Sequence, residues 1–416
     1  MMMIFPRQVF PWLAVTMLSA CSVYPTASGP ADKIRFIAFG DSGYHYDYLK
    51  PELLENPQTA AQFQAEKLNK WLTQHRPEKD FVAPPMHRLA DSKHVVERSG
   101  LQATAKAMTD FCQQQVCDFG IMLGDNIYPD GADGKNDDQR FEKIFEQPYK
   151  RLGEGVDGFK LYAALGNHDW NTSRQGRDAQ IDYAQRHDTK ITMQHPGYFT
   201  FTRRQGDLTA EFFVLDTNLL LKGQQVLDDQ LNPDGSPKQH NELNQPEKWE
   251  KPTTADKRQL SWLEQQLKAS TADWKIVMGH HTIWSSGGSK FEEAKVLRRL
   301  LLPSLCQYAD LYFAGHEHDL ELHQDSCEAV SGADALPLPL IVSGAGAKQR
   351  AIHQGFQQWQ RQAHPDYREL WLKGMVWGFS YIELDKHNAR VGMFTTPDDE
   401  SGAIVHEVSF DFSNRP

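Results

Sequence analysis

The chain has 416 residues, enough for one large elaborated domain or for a domain with a small addition. Apolar residues make up 40% of the chain and charged residues 24%, a composition that is ordinary for a soluble globular protein and excludes wholesale disorder. The formal net charge of -11 gives the chain no overall basic character, which argues against nucleic acid as a partner.

The amino terminus predicts an export signal that is not part of the fold. An arginine precedes the apolar stretch VFPWLAVTMLSA, which is too short to span a bilayer as a helix. Cys21 follows at once, and LSAC resembles a bacterial lipobox, whose cysteine is lipidated after cleavage. We therefore expect a signal peptide over residues 1–21, a tether over 22–32, and an exported protein anchored through Cys21, with the outer membrane favoured. A plain signal peptide cleaved nearby is the alternative.

Four cysteines remain besides Cys21, and an even number in an exported chain suggests disulfide bonds. Three pairings are possible, and we predict the two local pairs, Cys112–Cys117 and Cys306–Cys327. The spacings lack the CxxC pairs of zinc sites, which disfavours metal binding by these thiols.

Five short apolar runs each end at a glycine that is followed by a metal-capable side chain. In chain order they are IRFIAFGDSG, FGIMLGDNIY, LYAALGNHD, WKIVMGHH and LYFAGHEH, which begin at Ile34, Phe119, Leu161, Trp274 and Leu311. Continuous apolar runs of this length are typical of strands covered on both faces. Helical patterns such as KRQLSWLEQQLKAS lie between several of them, so the sequence predicts an α/β architecture. In such sheets ligands bind beyond the carboxyl ends of strands, and the five polar endings should converge there.

Two further regions differ from this pattern within a domain predicted to span residues 33–416. Residues 44–100 form a polar insertion much longer than a normal connection, which predicts a functional or partly independent segment. Near the carboxyl terminus, FSYIEL, ARVGMF and IVHEVSF predict antiparallel strands of a second sheet.

The polar endings of the five runs together form a candidate metal site. A lone histidine is more often structural than a ligand, but the set of two Asp, one Asn, one Tyr and three His suits hard or borderline cations. Seven side chains exceed what one cation takes while leaving an open position, so two metals bridged by a carboxylate fit better. The candidate ligands are Asp41, Asp125, Tyr128, Asn167, His280, His316 and His318.

The blocks GDSG, GDNIY, GNHD, GHH and GHEH, in this order, resemble those of the calcineurin-like metallophosphoesterases. They are most similar to the purple acid phosphatases of the small tartrate-resistant type. Other metallophosphoesterases have a histidine where this chain has Gly43, and the purple enzymes use a tyrosine in the position of Tyr128 instead. The resemblance implies a four-layer αββα sandwich of two mixed sheets flanked by helices. It also implies hydrolysis of phosphate monoesters by attack of a metal-bound hydroxide.

The resemblance also implies a role for each candidate residue. Asp41, Tyr128 and His318 would hold a ferric ion, with Asp125 as the bridge, and Asn167, His280 and His316 would hold a divalent iron, zinc or manganese. His168 would contact the phosphate and help protonate the leaving group, with Asp169 as its orienting partner. Asn126 and His281 are further candidates for substrate binding.

One position departs from the family pattern. Mammalian-type members carry a second histidine nine residues after the one that corresponds to His280, and this chain has Ser289 there. His281, Lys290 and His45 are the candidate substitutes, and the sequence leaves the choice open.

Two other functions are compatible with the same pattern. The scaffold could act on a nucleotide or a phosphodiester, because loops set substrate preference, or it could be a non-catalytic surface lipoprotein that binds metal. The resemblance favours a phosphorylated small molecule as the substrate, and the sequence leaves the oligomeric state open.

Overall fold

The computed structural model describes residues 32–186, 188–244 and 252–414. The predicted signal peptide, residues 22–31 of the tether and the lipidation site Cys21 lie outside the described residues. Within the described ranges, no helix is both long enough and apolar enough to cross a membrane.

The strands are distributed along the whole described chain. They are β1 (Ile34–Phe39), β2 (Gln58–Thr59), β3 (Met86–Arg88), β4 (His94–Glu97), β5 (Phe119–Leu123), β6 (Leu161–Ala164), β7 (Ile191–Thr192), β8 (Phe199–Gln205), β9 (Leu208–Val214), β10 (Trp274–Met278), β11 (Leu311–Ala314), β12 (Leu320–Asp325), β13 (Leu338–Ser343), β14 (Tyr367–Lys373), β15 (Trp377–Leu384), β16 (Asn388–Thr396) and β17 (Val405–Ser413).

The α-helices alternate with many of these strands, as the sequence pattern indicated. They are α1 (Pro51–Glu55), α2 (Ala60–Thr73), α3 (Leu101–Gln114), α4 (Asp138–Phe141), α5 (Asn167–Trp170), α6 (Arg174–Ala184), α7 (Thr217–Leu221), α8 (Gln259–Ala269), α9 (Phe291–Tyr308), α10 (Glu328–Ser331) and α11 (Gln354–Ala363). Short 3-10 turns span Tyr46–Tyr48, Glu78–Asp80 and Asp256–Arg258, and a π-helical turn spans Glu142–Glu146.

Two seven-stranded mixed sheets form the centre of the fold. The first has the order β17-β16-β15-β1-β5-β6-β7, and the second has the order β14-β12-β13-β11-β10-β9-β8. In the first sheet β1, β5, β6 and β7 run parallel, and in the second β9, β10, β11 and β13 do. The mixed α/β fold predicted from the sequence is confirmed.

The carboxyl-terminal strands were predicted to form a second sheet, and this prediction is wrong. β15 pairs antiparallel with β1, with Phe36 opposite Ile382, and β16 and β17 extend the same sheet. The second sheet is built instead from β8 to β14. The five ligand-bearing strands are therefore divided between the sheets: β1, β5 and β6 belong to the first sheet, and β10 and β11 to the second.

Apolar side chains fill three successive layers of the structure. Between the sheets, Phe36 stacks on Phe119 with ring centroids 5.0 Å apart and meets Phe212 edge-on at 5.3 Å. On the outer face of the first sheet, α3 packs against β15 and β16. On the outer face of the second sheet, Leu263 of α8 and Leu297 of α9 are buried in one apolar cluster. This arrangement of helix, sheet, sheet and helix agrees with the predicted four layers.

The predicted insertion over residues 44–100 contains α1, α2 and a separate small antiparallel sheet of order β2-β4-β3. The side chains of Thr59 and Gln62 form a capping box at the start of α2. Both predicted disulfide bonds are present: Cys112–Cys117 joins the last turn of α3 to the segment after it, and Cys306–Cys327 joins α9 to the residue before α10.

Candidate metal centre and active site

The five polar residue blocks meet where the parallel strands of the two sheets end. Three candidate ligands adopt the left-handed backbone region, with φ of 54° at Asp41, 52° at Asp125 and 68° at His316. Non-glycine residues in this region cost about 1–3 kcal/mol and cluster at functional sites. Each follows a glycine, but only Gly124 among those three glycines has a positive φ itself. At Asp41 and His316 the sharp turn is therefore made by the ligand residue and not by the glycine before it.

The glycines are required for close approach of neighbouring chain segments. A Cβ atom on Gly166 would lie well inside 3.0 Å of the backbone nitrogen and a carboxylate oxygen of Asp125. A Cβ atom on Gly315 would lie 2.7 Å from Oδ2 of Asp41. Side chains at these positions would occupy the space of the candidate ligands.

One cluster of donor atoms surrounds the Tyr128 hydroxyl. This oxygen lies 2.7 Å from Oδ2 of Asp125, 3.0 Å from Oδ1 of Asp41 and 3.3 Å from Nε2 of His318. Nε2 of His318 is also 3.3 Å from Oδ1 of Asp41. All four side chains are buried or nearly so, and they offer three oxygens and one nitrogen to a common centre.

A second cluster surrounds Nε2 of His280. This nitrogen lies 3.0 Å from Nδ1 of His316, 3.1 Å from Oδ1 of Asn167 and 3.4 Å from Oδ1 of Asp125. Asp125 thus contributes Oδ2 to the first cluster and Oδ1 to the second. The structure brings all seven predicted ligands together in two adjoining groups that share one carboxylate.

Further contacts orient the two histidines of the second cluster. Nδ1 of His280 donates to the carbonyl oxygen of Leu123 at 2.8 Å, which leaves Nε2 free to act as a ligand. Nε2 of His316 lies 2.9 Å from Oε2 of Glu293 and donates to it, which leaves Nδ1 free. Metal-binding histidines commonly donate their other nitrogen to a carbonyl or carboxylate in this way. Sequence reasoning missed Glu293, because a glutamate on an amphipathic helix carries no signal of its partner.

The electrostatics of the site fit bound cations. Burial raises the pKa of Asp41 well above its ordinary value, and burial together with Asp125 and Asp41 raises that of Tyr128. Two carboxylates and a phenol packed together away from water are unfavourable without positive charge. Oxygen and imidazole donors without a thiolate suit hard or borderline cations. The residues present therefore fit a pair of metal ions.

His168 lies at the edge of this site, at the start of α5. Its side chain is 25% exposed, and its backbone N–H donates to Oδ1 of Asp125 at 2.8 Å. Nδ1 contacts the carbonyl oxygen of Pro129, which can only accept, so Nδ1 carries a proton. Nε2 is the ring nitrogen left for a substrate.

Asp169 does not orient His168, which differs from the prediction. Its carboxylate accepts hydrogen bonds from the backbone N–H groups of Gly166 at 2.7 Å, Asn126 at 3.1 Å and Ile127 at 3.1 Å. Asp169 therefore ties the loop after β5 to the loop after β6. The contact that orients the imidazole comes from Pro129.

The two other predicted substrate contacts are buried. Asn126 is fully buried, and its amide donates to Ala164 and Asp169. His281 is 1% exposed, and its Nδ1 lies 2.7 Å from the Thr217 hydroxyl oxygen. Neither side chain lines the cavities described below, so neither is placed to contact a substrate there. This differs from the prediction, and both residues instead pack behind the candidate ligands.

The structure explains why a histidine is absent from position 43. A Cβ atom on Gly43 would lie well inside 3.0 Å of the Asn126 carbonyl group. The loop after β1 and the loop after β5 are held close together here, because the N–H of Tyr128 donates to the carbonyl of Gly43 at 3.2 Å. The Tyr128 ring enters the site from the facing loop.

Two cavities adjoin the metal centre, and the insertion forms part of both. One of about 280 Å³ is bounded by Tyr128, His168 and His318 on one side and by insertion residues such as Phe63 and Val95 on the other. The second, of about 480 Å³, also reaches His318 and lies on the other side of Lys348 and Glu97. The insertion therefore forms part of the walls of both cavities beside the candidate metal centre.

Ligand-bearing strand ends that meet between two mixed sheets flanked by helices define a class, the metal-dependent phosphoric ester hydrolases. The chain belongs to the calcineurin-like phosphoesterase family, whose model matches residues 34–320. It is 28% identical to tartrate-resistant acid phosphatase type 5 of Rattus norvegicus, over 76% of this chain and 85% of that protein. It is 28% identical to purple acid phosphatase 7 of Arabidopsis thaliana, over 70% of this chain and 75% of that protein. The chain is therefore a phosphoric ester hydrolase.

A solved structure with a similar fold is GAP50, the anchor in the inner membrane complex of Plasmodium. The two superpose with a TM-score of 0.55 at 16% identity, over 92% of this chain and 90% of that one. At this identity the similarity shows the fold alone.

Proposed function

We propose that the protein is a binuclear metal-dependent phosphomonoesterase of the purple acid phosphatase type. The observation that carries this proposal is the position of Asp125, whose two carboxylate oxygens face two separate donor clusters. A carboxylate in this position bridges the ions of binuclear hydrolytic sites. The acid phosphatases among the relatives, at 28% identity, support a monoester as the substrate.

Asp41, Tyr128 and His318 would hold one ion, proposed to be ferric iron, and Asn167, His280 and His316 would hold a divalent iron, zinc or manganese. When bound, such ions supply a nucleophile at moderate pH and neutralise negative charge on the phosphoryl group. The donor set around Tyr128 suits a harder ion than the set around His280, because Tyr128 and Asp41 supply oxygens where the other set has imidazole nitrogens.

The chain itself positions the substrate and moves the leaving-group proton. Nε2 of His168 lies 4.0 Å from Oδ2 of Asp125, so the ring borders the bridge and faces the 280 Å³ cavity. Pro129 fixes the ring through Nδ1. We propose that His168 acts with a proton on both ring nitrogens: Nε2–H binds the phosphoryl group and donates its proton to the departing oxygen, which leaves the neutral ring with the proton on Nδ1.

We also propose that the chain is exported and anchored by a lipid on Cys21. The apolar stretch before LSAC and the two disulfides support an oxidising compartment outside the cytoplasm. Labelled palmitate should be incorporated into the wild-type chain in cells and should be absent from Cys21→Ala. Equal labelling of both would contradict the anchor.

The function is tested by phosphate release together with the visible spectrum. The purified protein should hydrolyse p-nitrophenyl phosphate and show the violet charge-transfer band of a tyrosine bound to ferric iron. Tyr128→Phe should lose the band, while Tyr162→Phe should keep it, because Tyr162 stacks on Phe201 between the sheets, outside the site. A metal-loaded protein that is inactive on p-nitrophenyl phosphate and on nucleotides would contradict the enzymatic proposal. A colourless active protein with two zinc ions would contradict the ferric assignment.

A further inference from the structure

The 480 Å³ cavity beside the metal centre carries a concentration of positive charge that the net charge of the chain does not suggest. The whole chain has a formal charge of -11. One carboxylate, Glu97, lines this cavity, together with six cationic side chains: Lys67, Lys70, Arg76, Lys290, Lys348 and Arg350. We call this space the cationic cavity.

Only part of this positive charge is neutralised within the protein. Glu97 pairs with Lys348 at 2.9 Å and with Lys67 at 3.2 Å, so one carboxylate serves two ammonium groups. Arg350 pairs with the buried carboxylate of Glu317 behind the cavity wall. Within the described ranges, one positive charge of the Lys67 and Lys348 pair therefore lacks a close counter-charge.

Three further cations have no carboxylate partner of their own within 3.5 Å in the part of the chain that the structure describes. Arg76 donates to the carbonyl oxygens of Gly287, Ala351 and Ile352, which carry no net charge. The nearest carboxylate to the Lys290 ammonium is Glu293, at 3.9 Å, and this group already accepts from His316. Among the described residues, no carboxylate lies within 4.0 Å of the Lys70 ammonium.

These cations repel one another in the structure as it stands. Burial lowers the pKa of Lys70, and the neighbouring Lys67 and Arg350 lower it further. Burial likewise lowers the pKa of Arg76 to about 10, with Arg350 as the next cause, while Glu317 and Asp319 behind the cavity wall oppose this shift in part. Like charges held at one cavity are relieved when an anion enters it.

The cationic cavity is placed to receive the leaving group of a substrate held at the metal centre. His318 lines both this cavity and the cavity that contains His168. Lys67 and Lys70 lie three residues apart on α2 and so share one helix face. Lys290 directly follows Ser289, the position at which mammalian-type relatives have their second histidine. The insertion and the loop before α9 thus bring cations to one space from opposite sides.

We propose that the cationic cavity is a subsite for a second anionic group, so that the preferred substrate is a small phosphate ester whose leaving group carries another phosphate or a carboxylate. This inference rests on the proposed function of the metal centre. The scissile phosphoryl group lies at the metal ligands, and the second anion lies among Lys70, Arg76 and Lys290. The metal ions would neutralise the charge of the scissile phosphoryl group. The positive charge of the six cations in the cavity is therefore more than one phosphate monoester requires.

The test compares matched substrates on the full chain at low ionic strength. Fructose 1,6-bisphosphate should exceed fructose 6-phosphate in kcat/KM by about tenfold or more, which corresponds to about 1.4 kcal/mol. The bisphosphate has two cleavable esters, so a ratio of the two kcat/KM values of about two needs no second binding site. A ratio of this size would overturn the inference. A second pair, 3-phosphoglycerate against glycerol 3-phosphate, shows whether a carboxylate is accepted as well as a phosphate. Raising the salt concentration should reduce the preference, because exposed charges are screened.

Two variants test whether the side chains of the cationic cavity cause the preference for the bisphosphate. Lys70→Gln and Lys290→Gln should each reduce the ratio of the two kcat/KM values by about threefold or more. Lys268→Gln is the matched control and should leave the ratio unchanged. Lys268 lies near the end of α8, which leads to the amino end of β10, whereas the metal centre lies at the carboxyl end of that strand. An unchanged ratio in both cavity variants would overturn the inference while leaving the phosphatase proposal intact. Absence of hydrolysis of every substrate would refute both.

Discussion

The contact between Glu293 and His316 allows a sharp test of how the second cluster binds metal. Both groups are buried, and the 2.9 Å hydrogen bond from Nε2 of His316 fixes the imidazole so that Nδ1 faces the cluster. Glu293→Gln keeps the size of the side chain and an accepting oxygen but removes the charge. Hydrogen bonds to charged groups contribute about 1.5–3 kcal/mol, against about 1 kcal/mol for neutral ones. The loss of charge should therefore cost about 1–2 kcal/mol.

This cost predicts a fall of about tenfold in metal affinity, which lies at the lower end of the 10–100-fold range typical of groups behind metal-binding histidines. The assay is a titration of metal-depleted protein with Zn²⁺ in competition with a chromophoric chelator. Glu292→Gln is the matched control: Glu292 is similarly buried on the same helix, but it pairs with Lys295 at 3.3 Å. Equal affinities in the two variants would refute the role given to Glu293.

Three further predictions concern stability. Lys348 and Lys67 outweigh burial and hold the pKa of Glu97 at about 2, below its ordinary 4.5, so Glu97→Gln should lower the free energy of unfolding by about 3 kcal/mol at pH 7. This deficit should persist above about pH 4.5 and shrink as the pH falls towards 2; a deficit independent of pH would contradict the charge argument. Replacing the Cys306–Cys327 disulfide, which closes a loop of 21 residues, with two serines should cost about 3 kcal/mol in urea unfolding, and an unchanged midpoint would refute this. Gly43→Ala should cost about 1–3 kcal/mol in the same assay, because its Cβ would overlap the Asn126 carbonyl; wild-type stability would show that the two loops separate freely.

The sequence predicted the parts of the structure that depend on local pattern. Continuous apolar runs mark the buried parallel strands, and the polar residue at the end of each run is brought to the common edge by the parallel arrangement. The two local cysteine pairs, one of three possible pairings, were also predicted correctly. These features need only the identity and spacing of neighbouring residues.

Other features depend on contacts between distant segments and were beyond the sequence. Apolar strands of the two sheets look alike, so the pairing of β15 with β1, which lie more than 300 residues apart, could not be foreseen. The three strands of the insertion have only two to four residues each, too few for a periodic pattern. The contact between Asp169 and Asn126 likewise depends on the approach of two loops, and it replaced the predicted pairing of Asp169 with His168.

The central claim is that Asp125 bridges two metal ions, and counting the metals tests it most directly. Elemental analysis of the dialysed protein should find two metal ions per chain in the wild type and in Asp133→Asn, a matched change in an exposed loop. Asp125→Asn should retain at most one ion and lose phosphatase activity, because both clusters lose a negatively charged oxygen. Two tightly held ions and undiminished activity in Asp125→Asn would contradict the claim.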